Sequence, residues 1–250
     1  MAGHSKWSKV KHIKGPLDVK RGAQFSKLVK EITVAARLGG GDVSGNPRLR
    51  SVVETARAAN MPKDNIERAI KKGTGEIEGT HYEEILYEAY APGGVAMIIE
   101  TATDNKNRTT AELRLTFSKN GGSLAASGSV LYMFHRKGHL TIPRSLTDED
   151  RILELTMDAR AEEFITEDTH YLVTTPPERI HAVAEALRTG GIEGVSQKHT
   201  YQPDKTVTVG DVAVAEQVLR LYETLEDNDD TQNVYSNFDI PEEVLARLPA

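Results

Sequence analysis

The chain has 250 residues, a mass of 27.5 kDa and a formal net charge of −6, a length that fits two or three compact units better than one. It has no cysteine, which excludes disulfides, thiolate metal sites and thiol nucleophiles and fits a reducing compartment. The longest clean apolar stretch, Val95 to Ile99, is far too short to span a bilayer, and no apolar run follows the lysine-rich start; a soluble, cytoplasmic protein without a membrane partner is expected.

The net charge hides an uneven split. Residues 1–79 hold 16 Lys and Arg against 8 Asp and Glu, a balance of +8, and the remainder holds 15 against 29, a balance of −14. A basic head on an acidic body suits a polyanion-binding module carried by domains that repel the polyanion. Lys6, Lys9, Lys11, Lys14, Lys20, Arg21, Lys27 and Lys30 crowd the first thirty residues, opposed only by Asp18 and accompanied by Trp7. In such an arm the lysines neutralise phosphates and the indole stacks on an exposed base. The competing reading is a solvated basic tail. Arg48, Arg50, Arg57, Arg68, Lys71 and Lys72 extend the same sign and favour the first reading.

After the arm, Phe25, Leu28, Val29, Ile32 and Ala36 repeat at helical spacing until Gly39-Gly40-Gly41. Asn46-Pro47 offers a capping side chain and a proline at the first helical position, and Leu49, Val52, Val53 and Ala56 continue the period. A third helix opens at Met61-Pro62 and is expected to close at Gly73, after Lys71 and Lys72. From Tyr82 the texture is that of strands. Glu84–Ala91 and Gly94–Ala102, split by Pro92-Gly93-Gly94, read as a hairpin. The polar loop Thr103 to Thr109 leads into a helix ending at Gly121-Gly122, and a strand through Val130–His135 is expected to complete a ββαβ unit.

Residues 139–201 then read strand, helix, strand, strand, helix, strand, the split βαβ order of ferredoxin-like domains. The tail, with a helix from Asp211 to Glu226 and a strand near Asn233–Asn237, lacks the elements of a domain and is expected to return to the sheet begun at Tyr82. The fold class is therefore α+β with three domains: 1–79 as basic arm and helical bundle, 80–137 plus 203–250 as an α+β domain, and 138–202 as a ferredoxin-like domain inserted into it.

Asn105, Lys106 and Arg108, at a helix start, are secondary phosphate-contact candidates; the competing reading is a turn with an N-cap. Catalytic patterns fail. Gly73-Thr74-Gly75 followed by Gly79 is one residue too long for a dinucleotide fingerprint, and no phosphate-loop Gly-Lys-Ser/Thr occurs. His135 and His139 lack the neighbouring Glu of a zinc-protease helix. A calcium loop framed on Asp227 would need Gly where Gln232 stands and Glu where Phe238 stands. A rival reading, an enzyme holding a divalent ion, would use Glu226, Asp227, Asp229 and Asp230. No metal, cofactor, catalytic residue or small-molecule substrate is expected.

The chain resembles the YebC/PmpR family in segments that span nearly its whole length. They are Met1-Ala2-Gly3-His4-Ser5-Lys6-Trp7, Lys20-Arg21-Gly22, Phe25-Ser26-Lys27-Leu28, Asn46-Pro47-Arg48-Leu49-Arg50 and Asn60-Met61-Pro62-Lys63-Asp64-Asn65-Ile66-Glu67-Arg68-Ala69-Ile70. Further along come Pro92-Gly93-Gly94-Val95, Thr103-Asp104-Asn105 with Asn107-Arg108-Thr109, Gly128-Ser129-Val130, Leu225-Glu226-Asp227 and Asn237-Phe238-Asp239-Ile240. Gly15-Pro16-Leu17 replaces the usual polar, alanine-containing link, and Lys106 stands where arginine is common. The resemblance implies three domains with one inserted in another, no enzyme activity, and DNA-binding transcriptional regulation. It also implies an alternative, since similar proteins, a mitochondrial translational activator among them, act on translation. On that version the chain binds ribosomal RNA and relieves stalling on proline-rich stretches. The expected partner is thus DNA or ribosomal RNA, with the ribosome or another protein meeting the acidic domains.

Overall fold

The computed structural model describes residues 17–248, with side chains from residue 22 onward. Helix α1 (Leu17–Gly39) buries Leu28, Ile32, Ala35 and Ala36, the stripe marked by the apolar spacing. Helix α2 (Pro47–Ala58) starts at Asn46, whose Oδ1 accepts from the Leu49 amide at 3.1 Å while its Nδ2 donates to the Ala35 and Gly40 carbonyls, each at 2.9 Å. One side chain so caps α2 and satisfies carbonyls at the end of α1. Helix α3 (Lys63–Thr74) runs past the expected stop at Gly73, and its left-handed cap is Gly75, with φ of 80°. Gly73 serves packing instead: a Cβ there would lie 2.4 Å from the Thr33 carbonyl and 2.8 Å from the Ala36 Cβ. Only glycine lets α3 approach α1 so closely.

Strands β1 (Glu83–Ala91) and β2 (Val95–Thr103) form the expected hairpin, in register from Glu83↔Thr103 to Ala91↔Val95. Helix α4 (Lys106–Lys119) follows, and β3 (Ser123–Leu124) pairs with β1. The strand expected through Val130–His135 does not join this sheet. Leu131–Met133 is a single 3₁₀ turn, and β4 (Phe134–Pro143) belongs to a second sheet. Glu88 is the cause. Its carboxylate is 4% exposed and accepts the amides of Gly128, Val130 and Leu131 at 2.5, 2.7 and 2.8 Å, which satisfies those donors in a turn instead of a ladder. The vacant edge of β2 is taken by β9 (Thr231–Ser236), paired from Met97↔Ser236, so the tail returns and the order is β3-β1-β2-β9.

Strand β4 opens the inserted unit, which continues through α5 (Glu149–Asp158), β5 (Glu163–Thr166), β6 (His170–Thr175), α6 (Ile180–Thr189) and β7 (Ser196–Pro203). Its antiparallel order β5-β6-β4-β7 is that of a ferredoxin-like domain. Leu140, Ile142, Ile152, Val173, Ile180 and Val183 form its core. Afterwards β8 (Val207–Thr208) pairs in parallel with β10 (Phe238–Asp239), with α7 (Val212–Asp227) between them in sequence and α8 (Glu242–Leu245) last. Leu113 and Phe117 of α4 pack with Val218, Leu221 and Leu225 of α7 over one face of the first sheet. The other face, with Ala96, Ile98 and Tyr235, packs on Phe134 and Tyr201, which joins the inserted unit to its host through apolar contact.

Candidate nucleic-acid interface

Lys6, Trp7, Lys9, Lys11 and Lys14 lie outside the described residues, as do the side chains of Lys20 and Arg21, whose backbone belongs to α1. Lys27 and Lys30 are on the same helix, and both are engaged. The Lys27 ammonium donates to the Glu226 carbonyl at the end of α7. Lys30 Nζ donates to the Asp229 carbonyl at 2.8 Å and to Asp230 Oδ1 at 2.7 Å, and it sits 5.6 Å from the centre of the Tyr82 ring. Cations here meet the negative end of α7, which its dipole favours. Helix α1 is thereby fixed to the α+β domain, and its first residue lies about 15 Å beyond Lys27 at 1.5 Å rise per residue.

Asp230 is the centre of that joint. Its buried Oδ2 accepts from Arg108 Nη2 at 2.7 Å, Thr109 Oγ1 at 2.7 Å and Thr103 Oγ1 at 3.1 Å. Burial alone would raise this carboxyl, but the donors from Arg108, Lys30 and Thr109 outweigh it and hold the group well below the usual carboxylate range. The loop proposed to meet phosphate therefore already holds an anion. Asn105 caps α4 by accepting the Arg108 amide at 3.1 Å, and Arg108 reaches Asp104 at 2.9 Å as well as Asp230. Lys106 is exposed and, among the described residues, makes no ion pair.

Arg48 and Arg50 are also engaged. The Arg48 guanidinium forks onto Glu84 of β1, and Arg50 donates to the carbonyls of Val43, at 3.2 Å, and Ser44. By contrast Arg57, Arg68 and Lys71 are exposed and, among the described residues, carry no ion pair. The helical unit thus divides its cations into a set that ties it to the rest of the protein and a set that faces water.

Sequence reasoning missed the polar junction between the domains. Ser51 Oγ donates to the Gln197 carbonyl at 2.8 Å, and Tyr235 Oη reaches the His199 carbonyl at 3.4 Å; within the α+β domain, Glu100 Oε2 accepts from Asn233 Nδ2 and Tyr235 Oη, each at 2.9 Å. Burial raises the Glu31 carboxyl and lowers the Lys198 ammonium, while each attracts the other and Lys198 also feels Glu100. Lys198 keeps part of its surface exposed while its ammonium stands among the carboxylates of Glu31 and Glu100. Its strand neighbour His139 has an Nε2 that is buried without a hydrogen bond, and burial, helped by Lys198, pushes its pKa down to about 4. Ser51 meets Gln197 across 146 residues and Tyr235 meets Glu100 across 135, and no local pattern announces such contacts.

A cleft of about 1140 Å³ separates α2 from the inserted unit. Its walls carry Arg50, Glu54 and Arg57 on one side and Glu185, Arg188 and Glu193 on the other, a mixture of signs that attracts no polyanion. Of the carboxylates considered for a divalent ion, Asp230 is taken by Lys30 and Arg108. Among the described residues no group of three His, Cys, Asp or Glu is placed to hold a metal. No helix among them is long and apolar enough to cross a membrane.

Two family models match the chain: the TACO1/YebC protein N-terminal domain over residues 5–76, and the TACO1/YebC second and third domain over residues 82–238. A probable transcriptional regulatory protein of Desulfatibacillum aliphaticivorans is 52% identical over 245 residues, covering 98% of this chain and 99% of that one. A protein of the same description from Syntrophus aciditrophicus is 51% identical over 251 residues, with 100% of both chains covered. The crystal structure of a conserved hypothetical protein from Aquifex aeolicus superposes with a TM-score of 0.86 at 46% identity, covering 96% of this chain and 99% of that one.

Proposed function

The chain belongs to the TACO1/YebC family, whose members include probable transcriptional regulatory proteins, and from that premise we propose that it is a non-enzymatic regulator of gene expression that grips nucleic acid with its amino-terminal arm. The observation that carries this reading is the charge asymmetry, +8 over residues 1–79 against −14 over the rest. Lys6, Lys9, Lys11 and Lys14 supply phosphate contacts, joined by Lys20 and Arg21, and Trp7 supplies a stacking face. The exposed Arg68 and Lys71 extend the surface over the helical unit. Lys27, Lys30, Arg48 and Arg50, tied as they are within the protein, serve to aim the arm.

The relatives' descriptions favour DNA as the ligand. A second reading, structured RNA at the ribosome, draws its support from Trp7, because an indole needs an unstacked base and loops of RNA offer one. Cytoplasmic localisation fits both. Binding to duplex DNA, random and site-containing, and to structured RNA, measured over a range of salt, separates the versions. Preference for particular duplex sites supports transcription, and preference for RNA with co-sedimentation on ribosomes supports translation. Absence of any salt-dependent affinity overturns both and leaves a protein adaptor.

A further inference from the structure

We propose that the outward face of α4 is a second phosphate-contact surface, engaged by the same nucleic acid that the arm holds; this rests on the nucleic-acid reading above. The fold uses one face of this helix. Thr109, Leu113 and Phe117 are buried, and Thr110 bonds the Tyr87 hydroxyl at 2.8 Å. Asn107, Ala111, Arg114, Leu115, Ser118 and Lys119 are all exposed, Leu115 by 55%.

The charge of the helix runs against its setting. Lys106, Arg108, Arg114 and Lys119 face a single acid, Glu112, within α4, although the chain beyond residue 79 has a balance of −14. Arg108 is held by Asp104 and Asp230, and Glu112 accepts from Asn228 at 3.3 Å. Among the described residues Lys106, Arg114 and Lys119 make neither an ion pair nor a side-chain hydrogen bond. Among the described residues, neither the core nor a side-chain partner accounts for these cations.

Their placement suits a phosphate polymer. At 100° per residue, Arg114 and Lys119 lie about 140° apart on the outward side of α4, with Asn107, Ala111, Leu115 and Ser118 between them and Arg108 next to Lys119, while Lys106 is exposed at the first position of the helix, in line with Leu113 and Phe117. Cations on both sides of a neutral strip can reach phosphates while the strip faces sugars or base edges. Fourteen residues span about 21 Å. The neighbouring α7 carries Glu216, Glu223 and Asp227 beside Arg220, which donates to Asn120, so a polyanion is confined to the α4 side. Lys30 of α1 and Arg108 of α4 meet on one carboxylate, that of Asp230, which makes the arm-bearing helix and α4 parts of one joint.

The test is the triple variant Lys106→Glu, Arg114→Glu, Lys119→Glu in the full chain, with circular dichroism and thermal melting to verify the fold. Its binding is compared with wild type and with the arm variant Lys6→Ala, Trp7→Ala, Lys9→Ala, Lys11→Ala, on duplex DNA and on structured RNA of equal length. With the arm intact, the slope of log affinity against log salt is expected to fall by about 2 to 3 on duplex, near 0.9 per lost phosphate, and affinity at ~150 mM salt by more than tenfold. Whichever polymer shows the larger loss is the one α4 meets. An unchanged slope in the triple variant, with wild type still binding, overturns this inference and leaves the arm reading intact. Wild type that binds neither polymer at ~50 mM salt overturns both.

Discussion

The ammonium of Lys30 lies 2.7 Å from the carboxylate of Asp230, 200 residues away in the chain, and this pair fixes the amino-terminal helix to a loop of the α+β domain. Asp230 also binds Arg108, Thr109 and Thr103, so its removal leaves two cations and two hydroxyls without their common acceptor. Asp230→Asn is expected to cost about 3 kcal/mol, the scale for breaking one side of a buried ion pair, measured by denaturant unfolding. Because the folded carboxyl sits below its ordinary range, its contribution is full above about pH 4, the unfolded value, and is lost as pH falls further. The variant should therefore lose its deficit relative to wild type in strong acid.

Neutralising Lys6, Lys9 and Lys11 is expected to lower the salt slope of nucleic-acid binding by about 2 to 3 while leaving the melting temperature within a degree or so of wild type. Lys30→Gln should do the reverse, lowering stability with little change in slope, because its charge is already matched by Asp230. Fluorescence titration and thermal melting on the same two variants separate the roles. A large slope change for Lys30→Gln would contradict the assignment.

His139 is neutral in the folded protein, with its pKa pushed down to about 4 by burial and then by Lys198. The unfolded chain binds a proton near pH 6.5, so between about pH 6.5 and 4 the unfolded state holds more protons and stability falls as pH falls. Below about pH 4 this contribution becomes constant. His139→Leu removes the titrating ring and the unpartnered Nε2 together, and its melting temperature should vary less over that window than wild type's does.

Glu88 accepts three backbone amides, and although burial would raise its carboxyl, the amides of Val130, Gly128 and Leu131 lower it on balance. Glu88→Gln replaces one acceptor oxygen by an amide group that must face a backbone donor. The expected cost is about 2 to 4 kcal/mol. Hydrogen exchange at the amides of Gly128, Val130 and Leu131 should quicken more than exchange in the inserted unit; equal change in both would count against a local role.

The helices were legible because their apolar residues repeat in the chain itself: Leu28, Ile32 and Ala36 needed no partner to be recognised as one face. The hairpin and the ferredoxin-like order were legible from strand texture and turns. The segment at Val130 misled, since its β-forming residues are bent into a turn by Glu88, a carboxylate 42 positions earlier, and tertiary contact overrides propensity. Gly73 resembles a helix stop because local signals cannot reveal the Thr33 carbonyl packed against it. The basic block was plain in the sequence. What was hidden is that Lys27 and Lys30 turn inward, because their acceptors lie 199 and 200 residues away.

Phe134, where the inserted unit departs, is paired across the ladder with Pro203, where it returns. Entry and exit are therefore neighbours, and the host sheet closes through β2 and β9 without them. Excising the ferredoxin-like module would leave two ends close enough to join, at the loss of the apolar cover over Ile98 and Tyr235 and of the hydrogen bonds that Ser51 and Tyr235 make to Gln197 and His199. A module of other shape grafted between those two ends would ride on the helical unit and its host sheet as a payload of choice.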